Sequence, residues 1–221
     1  MIGLNKLRGE FEMEDLLKQR QFEKIEKVLV QQFNEKKDDV DILFELAMVY
    51  LQYPFENEER SIKYLDKILE IDKYNFQALI IKMYLQNYYY GEMDKDFEVL
   101  TNYEWNDGYK MSIVYYIYAW KFHWWNRNIQ IEEKIKWISK SIEMSSELVY
   151  THYRLGDLFA KLNKHKEANM CYKQALSNVK STDFLDEESL NPQVFIDEYI
   201  TGVRMSTINY ESLRKKAMKN G

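Results

Sequence analysis

The segment Leu155-Gly156-Asp157-Leu158-Phe159, followed by Ala168, Tyr172 and Ala175-Leu176, constrains this chain more than any other feature. It sets small and large apolar residues where two helices of a hairpin must meet. Gly156 is the small residue that lets the first helix approach the second, and any side chain there would wedge them apart. A hairpin built this way leaves apolar surface that is buried by stacking against copies of itself.

Related patterns recur upstream. Ala119 lies in Tyr118-Ala119-Trp120, Met83 in Lys82-Met83-Tyr84, and Ala47 in Leu46-Ala47-Met48-Val49-Tyr50. Met83 fits a small-residue slot poorly. Second helices fall in register: Ile68-Leu69-Glu70-Ile71 and Ser141-Ile142-Glu143-Met144 parallel Ala175-Leu176, with Leu65, Ile138 and Tyr172 at the large apolar position three residues before. Ile131, Ile135, Ile138 and Ile142 form an apolar stripe at helical spacing. Only 7 glycines and 2 prolines in 221 residues fit a chain that is almost entirely helical, and 15% aromatic content argues against disorder.

On these residues, 149–182 resemble a tetratricopeptide repeat, a helix–turn–helix of about 34 residues with a Leu-Gly pair, an aromatic and later alanines. The spacing from Ala47 through Met83 and Ala119 to Gly156 is about one such unit plus two or three residues. The family's usual proline after the second helix is missing, and Lys73, Ser146 and Lys180 stand near that point. The resemblance implies an all-α fold, a right-handed α-solenoid of tetratricopeptide-like helix–turn–helix repeats with atypical terminal helical hairpins. It divides the chain into an N-terminal helical hairpin (1–38), four repeats (39–182) and a loop with C-terminal capping helices (183–221), all in one continuous array.

Local signals place the ends of elements. Tyr53-Pro54-Phe55 breaks one hairpin, because proline cannot continue a helix. Asn106-Asp107-Gly108 separates two units, and Asn163 tolerates the left-handed backbone of a turn. Asn191-Pro192 reads as a cap followed by an N1 proline. Beyond it, Phe195, Ile196, Tyr199, Ile200 and Val203 are expected to form an apolar face. Ser206 is placed to cap a last helix that carries Ile208, Leu213 and Met218.

The residues give little support to catalysis. No His-Glu-x-x-His, CxxC, phosphate loop or nucleophile elbow is present, and His123, His152 and His165 do not pair at metal-ligand spacing. Cys171 reads as a buried structural thiol. The expectation is therefore no catalytic residue, no metal and no cofactor. A net charge of −5 with interspersed signs disfavours nucleic acid. Arg214-Lys215-Lys216 with Lys219 reads as a solubilising, dipole-matching helix end. No stretch is long and apolar enough to span a bilayer or serve as a signal peptide, so a cytoplasmic protein is expected.

Function is sought instead on the first helices, which in the resembled family line the concave inner surface. Carried across, those positions are Phe44, Met48 and Leu51, then Ile80, Tyr84 and Tyr88, then Tyr116, Trp120, His123 and Trp124, and last Tyr150, Tyr153, Asp157 and Lys161. The implied role is a non-catalytic module that binds a peptide or protein in an aromatic-rich groove. Its expected anchors are Tyr84, Tyr88, Tyr116, Trp120, Trp124, Tyr150 and Tyr153. The segment Tyr115 to Trp125 is aromatic nearly all round its helix, which a helix buried on every side would also show. The basic clamp that holds chaperone tails in some relatives is absent from most of these positions. A second reading is a small stand-alone inhibitor or immunity protein that blocks a toxin or enzyme stoichiometrically. Self-association into a homo-oligomer through an end unit is compatible with either.

Overall fold

The computed structural model describes residues 13–52, 55–90, 94–124, 130–182 and 189–219, except the side chains of 94–96 and 120–124. Expectations resting on Tyr53-Pro54, on Trp125 and on the side chains of Trp120, His123 and Trp124 fall outside that description. The helices are α1 (Phe22–Glu35), α2 (Val40–Val49), α3 (Glu58–Ile71), α4 (Phe76–Leu85), α5 (Asp94–Asn102), α6 (Gly108–Trp124), α7 (Ile131–Met144), α8 (Val149–Lys161), α9 (His165–Asn178), α10 (Pro192–Phe195) and α11 (Thr207–Met218). Two π-helical segments, Gln86–Tyr90 and Ile196–Thr201, directly follow α4 and α10. Apart from a bridge between Ser181 and Arg204, regular structure among the described residues is helical. The fold is all-α, as expected.

The chain forms two compact units, one of residues 1–78 with 185–194, the other of 79–184 with 195–221. In the first, α1 packs on α2 and α2 on α3. Their periodic faces bury Ile25, Leu29, Leu43, Leu46, Leu65 and Ile68 completely. Side-chain oxygens supply acceptors for the free backbone amides at helix starts. Asp39 Oδ1 accepts from the amides of Asp41 and Ile42 at 3.2 and 3.3 Å, and Asn57 Oδ1 from Arg60 N at 3.0 Å. The Tyr50 ring stacks between Phe55 and Tyr64, with centroids 5.5 and 5.9 Å away.

In the second unit, α6 pairs with α7, α7 with α8, α8 with α9, and α9 with α11. Small residues set the spacing. A Cβ on Gly156 would lie 2.6 Å from the Tyr172 ring, so the residue must be glycine at this helix separation. One hairpin earlier, the start of α6 and the end of α7 approach through Gly108, Ser112 and Ser141. Ser141 Oγ donates to Ser112 O at 2.6 Å, and a Cβ on Gly108 would meet Met144 O at 2.6 Å. Ala119 and Met83, at the corresponding repeat positions, are buried. Met83 keeps its bulk there despite the poor fit the repeat suggests.

Turn signals are confirmed where they are local. Asn163 adopts φ 58°, Asp107 Oδ1 accepts from Tyr109 N at 2.9 Å, and Ser206 Oγ accepts from Asn209 N at 3.2 Å. Gly202, which no motif marks, has φ 72° and carries the chain out of the second π segment against the Tyr150 ring. On the last helix Leu213 is buried against the neighbouring helices, while Ile208 and Met218 are 80% and 62% exposed.

Candidate partner-binding surface

The seven expected anchors divide by environment. Tyr116 is completely buried, as are Ile113, Val114 and Ile117 around it, and Tyr115 is nearly so. These α6 aromatics are core. The groove role given to Tyr116 is therefore corrected, since its ring has no surface to offer. Tyr150 and Tyr153 are half-buried. Trp120 and Trp124 lie on α6 at positions whose side chains are not described. Phe44, Met48 and Ile80 are also buried.

Tyr84 and Tyr88 do come together. The wider turn of the π-helical segment after α4 leaves their rings parallel, with centroids 6.0 Å apart and planes 6° apart. Phe195 meets the Tyr84 ring edge-on at 5.5 Å and stacks on Tyr199 at 4.9 Å. The second π segment carries Tyr199, so two π segments build one aromatic cluster. Tyr84 forms its floor, 9% exposed, and burial raises its hydroxyl pKa well above the ordinary range, keeping it neutral. Tyr88 and Tyr199 stand out from it, 47% and 48% exposed, and Tyr89 and Tyr90 extend the exposed run. Tyr84 and Tyr88 are both among the anchors expected from the sequence. Phe195 and Tyr199 were expected only on the apolar face of their helix, with no part in a binding surface.

A polar cluster lies elsewhere in the same unit. Asp157 Oδ1 accepts from Lys216 Nζ at 2.6 Å and from the Tyr172 hydroxyl at 2.8 Å, and Lys216 also donates to Tyr153 Oη at 3.0 Å. Burial alone would lower the Lys216 pKa, but these bonds outweigh it and raise it. Lys216 is thus drawn into a part-buried network, which corrects its reading as a solvated tail residue. Arg154 reaches Asp157 Oδ2 at 3.7 Å. Asp157 and Lys161 were expected groove positions; Lys134, Arg154 and Lys216 had no signal in the repeat pattern.

The cysteine and the described histidines lie in different environments. Cys171 is half-buried rather than buried, and burial with the nearby Glu167 pushes its thiol up to about 11. His152 is buried, with Nε2 donating to Ser146 O at 3.0 Å, and burial lowers its pKa. His165 is exposed on α9. Among the described residues no cluster of His, Cys, Asp or Glu is arranged to hold a metal ion, and no helix is long and apolar enough to cross a membrane.

No protein-family model matches the chain, and no curated protein matches it. Solved structures do. MamA from Desulfovibrio magneticus RS-1, residues 41 to the end, superposes with a TM-score of 0.54 at 16% identity, covering 76% of this chain and 92% of that one. A double mutant of MamA from RS-1 gives the same score and identity over 76% and 91%. At this identity the likeness concerns the fold, and it supports a helical-repeat architecture.

Proposed function

We propose that this chain is a tetratricopeptide-like, non-catalytic binding module that docks a protein or peptide through the tyrosine face of its second unit. One observation carries the reading: Tyr88 and Tyr199 are each about half exposed, yet their rings are already ordered by stacking on Tyr84 and Phe195. An exposed ring held in one orientation loses little rotamer freedom on binding, which is how aromatic residues come to dominate interface energetics. π-Helical turns occur frequently at functional sites, and here two of them present the rings. The phenol tips suit a partner that offers apolar anchors with hydrogen-bonding groups beside them. Tyr150 and Tyr153, being half-buried, are secondary contacts in this reading.

The test is an affinity capture from the lysate of the native cell, with Tyr88→Ala/Tyr199→Ala compared against wild type. Truncating an interface aromatic of this kind costs on the order of 2 kcal/mol or more. A partner held by wild type should therefore be lost from the double variant, while circular dichroism shows an unchanged helical fold. A partner retained equally by both would move the site off this face.

A further inference from the structure

A cavity of about 280 Å³ in the second unit is lined by Lys134, Arg154, Lys161 and Lys216, with Asp157 as the one acidic residue. Ala119, Ile138 and Leu158 supply its apolar wall, and the small Ala119 side chain leaves room there. Four cations against one carboxylate leave a formal charge of +3. Asp157 is already committed, accepting from Lys216 and Tyr172 and flanked by Arg154. It cannot also neutralise the two remaining lysines. Lys134 registers the excess: burial first, then repulsion from Lys161, lowers its pKa. Arg154 is held in place by Tyr116 and Asp157, which fixes its charge at the cavity wall.

Like charges gathered in a concavity cost stability unless a counter-charge enters, and a one-signed cleft focuses the field that attracts one. At about 280 Å³ the space lies at the small end of ligand pockets, so it suits a compact group rather than an extended chain. We propose that this cavity binds a phosphoryl dianion, held by Lys134, Lys161 and Arg154. A dianion offsets the charge that a single carboxylate would leave, and guanidinium with phosphate gives strong charge-assisted hydrogen bonds. Lys216, fixed by Asp157 and Tyr153, closes the site from α11. The cavity shares no residue with the tyrosine face, so it stands or falls apart from partner docking there.

The experiment is calorimetric titration of the full chain with inorganic phosphate, at ionic strength fixed with chloride. Wild type is compared with Lys134→Gln and Lys161→Gln. Saturable binding to wild type, weakened at least tenfold in each variant, is expected. Each substitution relieves the repulsion between the lysines, so thermal stability should be kept or raised, and weaker binding then cannot come from unfolding. Amide-capped phosphoserine, titrated in parallel, separates the sources of the group. Affinity equal to or above that of phosphate identifies a phosphorylated side chain, and binding of inorganic phosphate alone identifies a free anion. No saturable phosphate binding, equal binding by both variants, or tighter binding of malonate would overturn the proposal.

Discussion

A methyl group on Gly156 would lie 2.6 and 2.8 Å from two carbons of the Tyr172 ring. The ring has little freedom to retreat, because its hydroxyl is bonded to Asp157 and Lys216 Nζ sits 5.3 Å from its centre. Overpacking of this kind costs about 1–3 kcal/mol, while alanine returns roughly 1 kcal/mol of helix propensity. Gly156→Ala should therefore destabilise by up to about 2 kcal/mol, read as a lower urea midpoint with unchanged slope; a raised midpoint would mean the two helices are not in hard contact. Cys171 gives a second residue-scale expectation. With its thiol pushed up to about 11, little thiolate exists near neutrality, and the thiolate is the reactive form. Alkylation by iodoacetamide at pH 8 should be much slower than for free cysteine, and should accelerate only as pH approaches 11. A rate matching free cysteine would contradict the burial that sets this shift.

At the scale of elements, what was legible in the sequence was what depends on neighbours in the chain. Ser206, Asp107 and Asn163 act on amides or dihedrals within three residues of themselves, so their roles followed from residue type and position. The π-helical segments were illegible for a related reason. An extra residue per turn shifts every later side chain round the axis, so a 3.6-residue ruler assigns Tyr199 to the buried face when it is 48% exposed. α11 shows how much one local signal controls. Its start is capped by Ser206, and its exposed apolar residues Ile208 and Met218 contribute little burial to hold it. Ser206→Ala should cost about 1 kcal/mol. Faster hydrogen exchange should appear within Thr207–Met218, with α8 and α9 unaffected; uniform acceleration across the chain would instead show that the cap governs global stability.

For the whole molecule, the recurrence of small residues at Ala47, Ala119 and Gly156 was enough to read an all-α fold of stacked hairpins, because close helix approach demands small side chains wherever it occurs. The candidate sites were less legible. Lys216 lies 63 residues from Tyr153 and 59 from Asp157, and only the packing of α11 on α9 brings it to them. Nor could an aromatic run decide which of its rings would be sealed, as Tyr116 is, or displayed, as Tyr88 is. Buried polar groups with the same non-local origin connect the fold to pH. His152 is buried and its pKa lies below the ordinary 6.5, burial outweighing the opposing bond to Ser146 O. Above 6.5 the imidazole is neutral in both folded and unfolded chains, and the full stability is present. Below it the unfolded chain takes up the proton first, so stability is lost as pH falls towards and through the lowered folded value. The urea midpoint of wild type should accordingly drop between pH 7 and pH 5, more steeply than that of His152→Gln, which cannot titrate. Carboxylates common to both proteins contribute equally to the two profiles, so the difference isolates His152. Parallel profiles would show that this histidine does not set the acid limit of the fold.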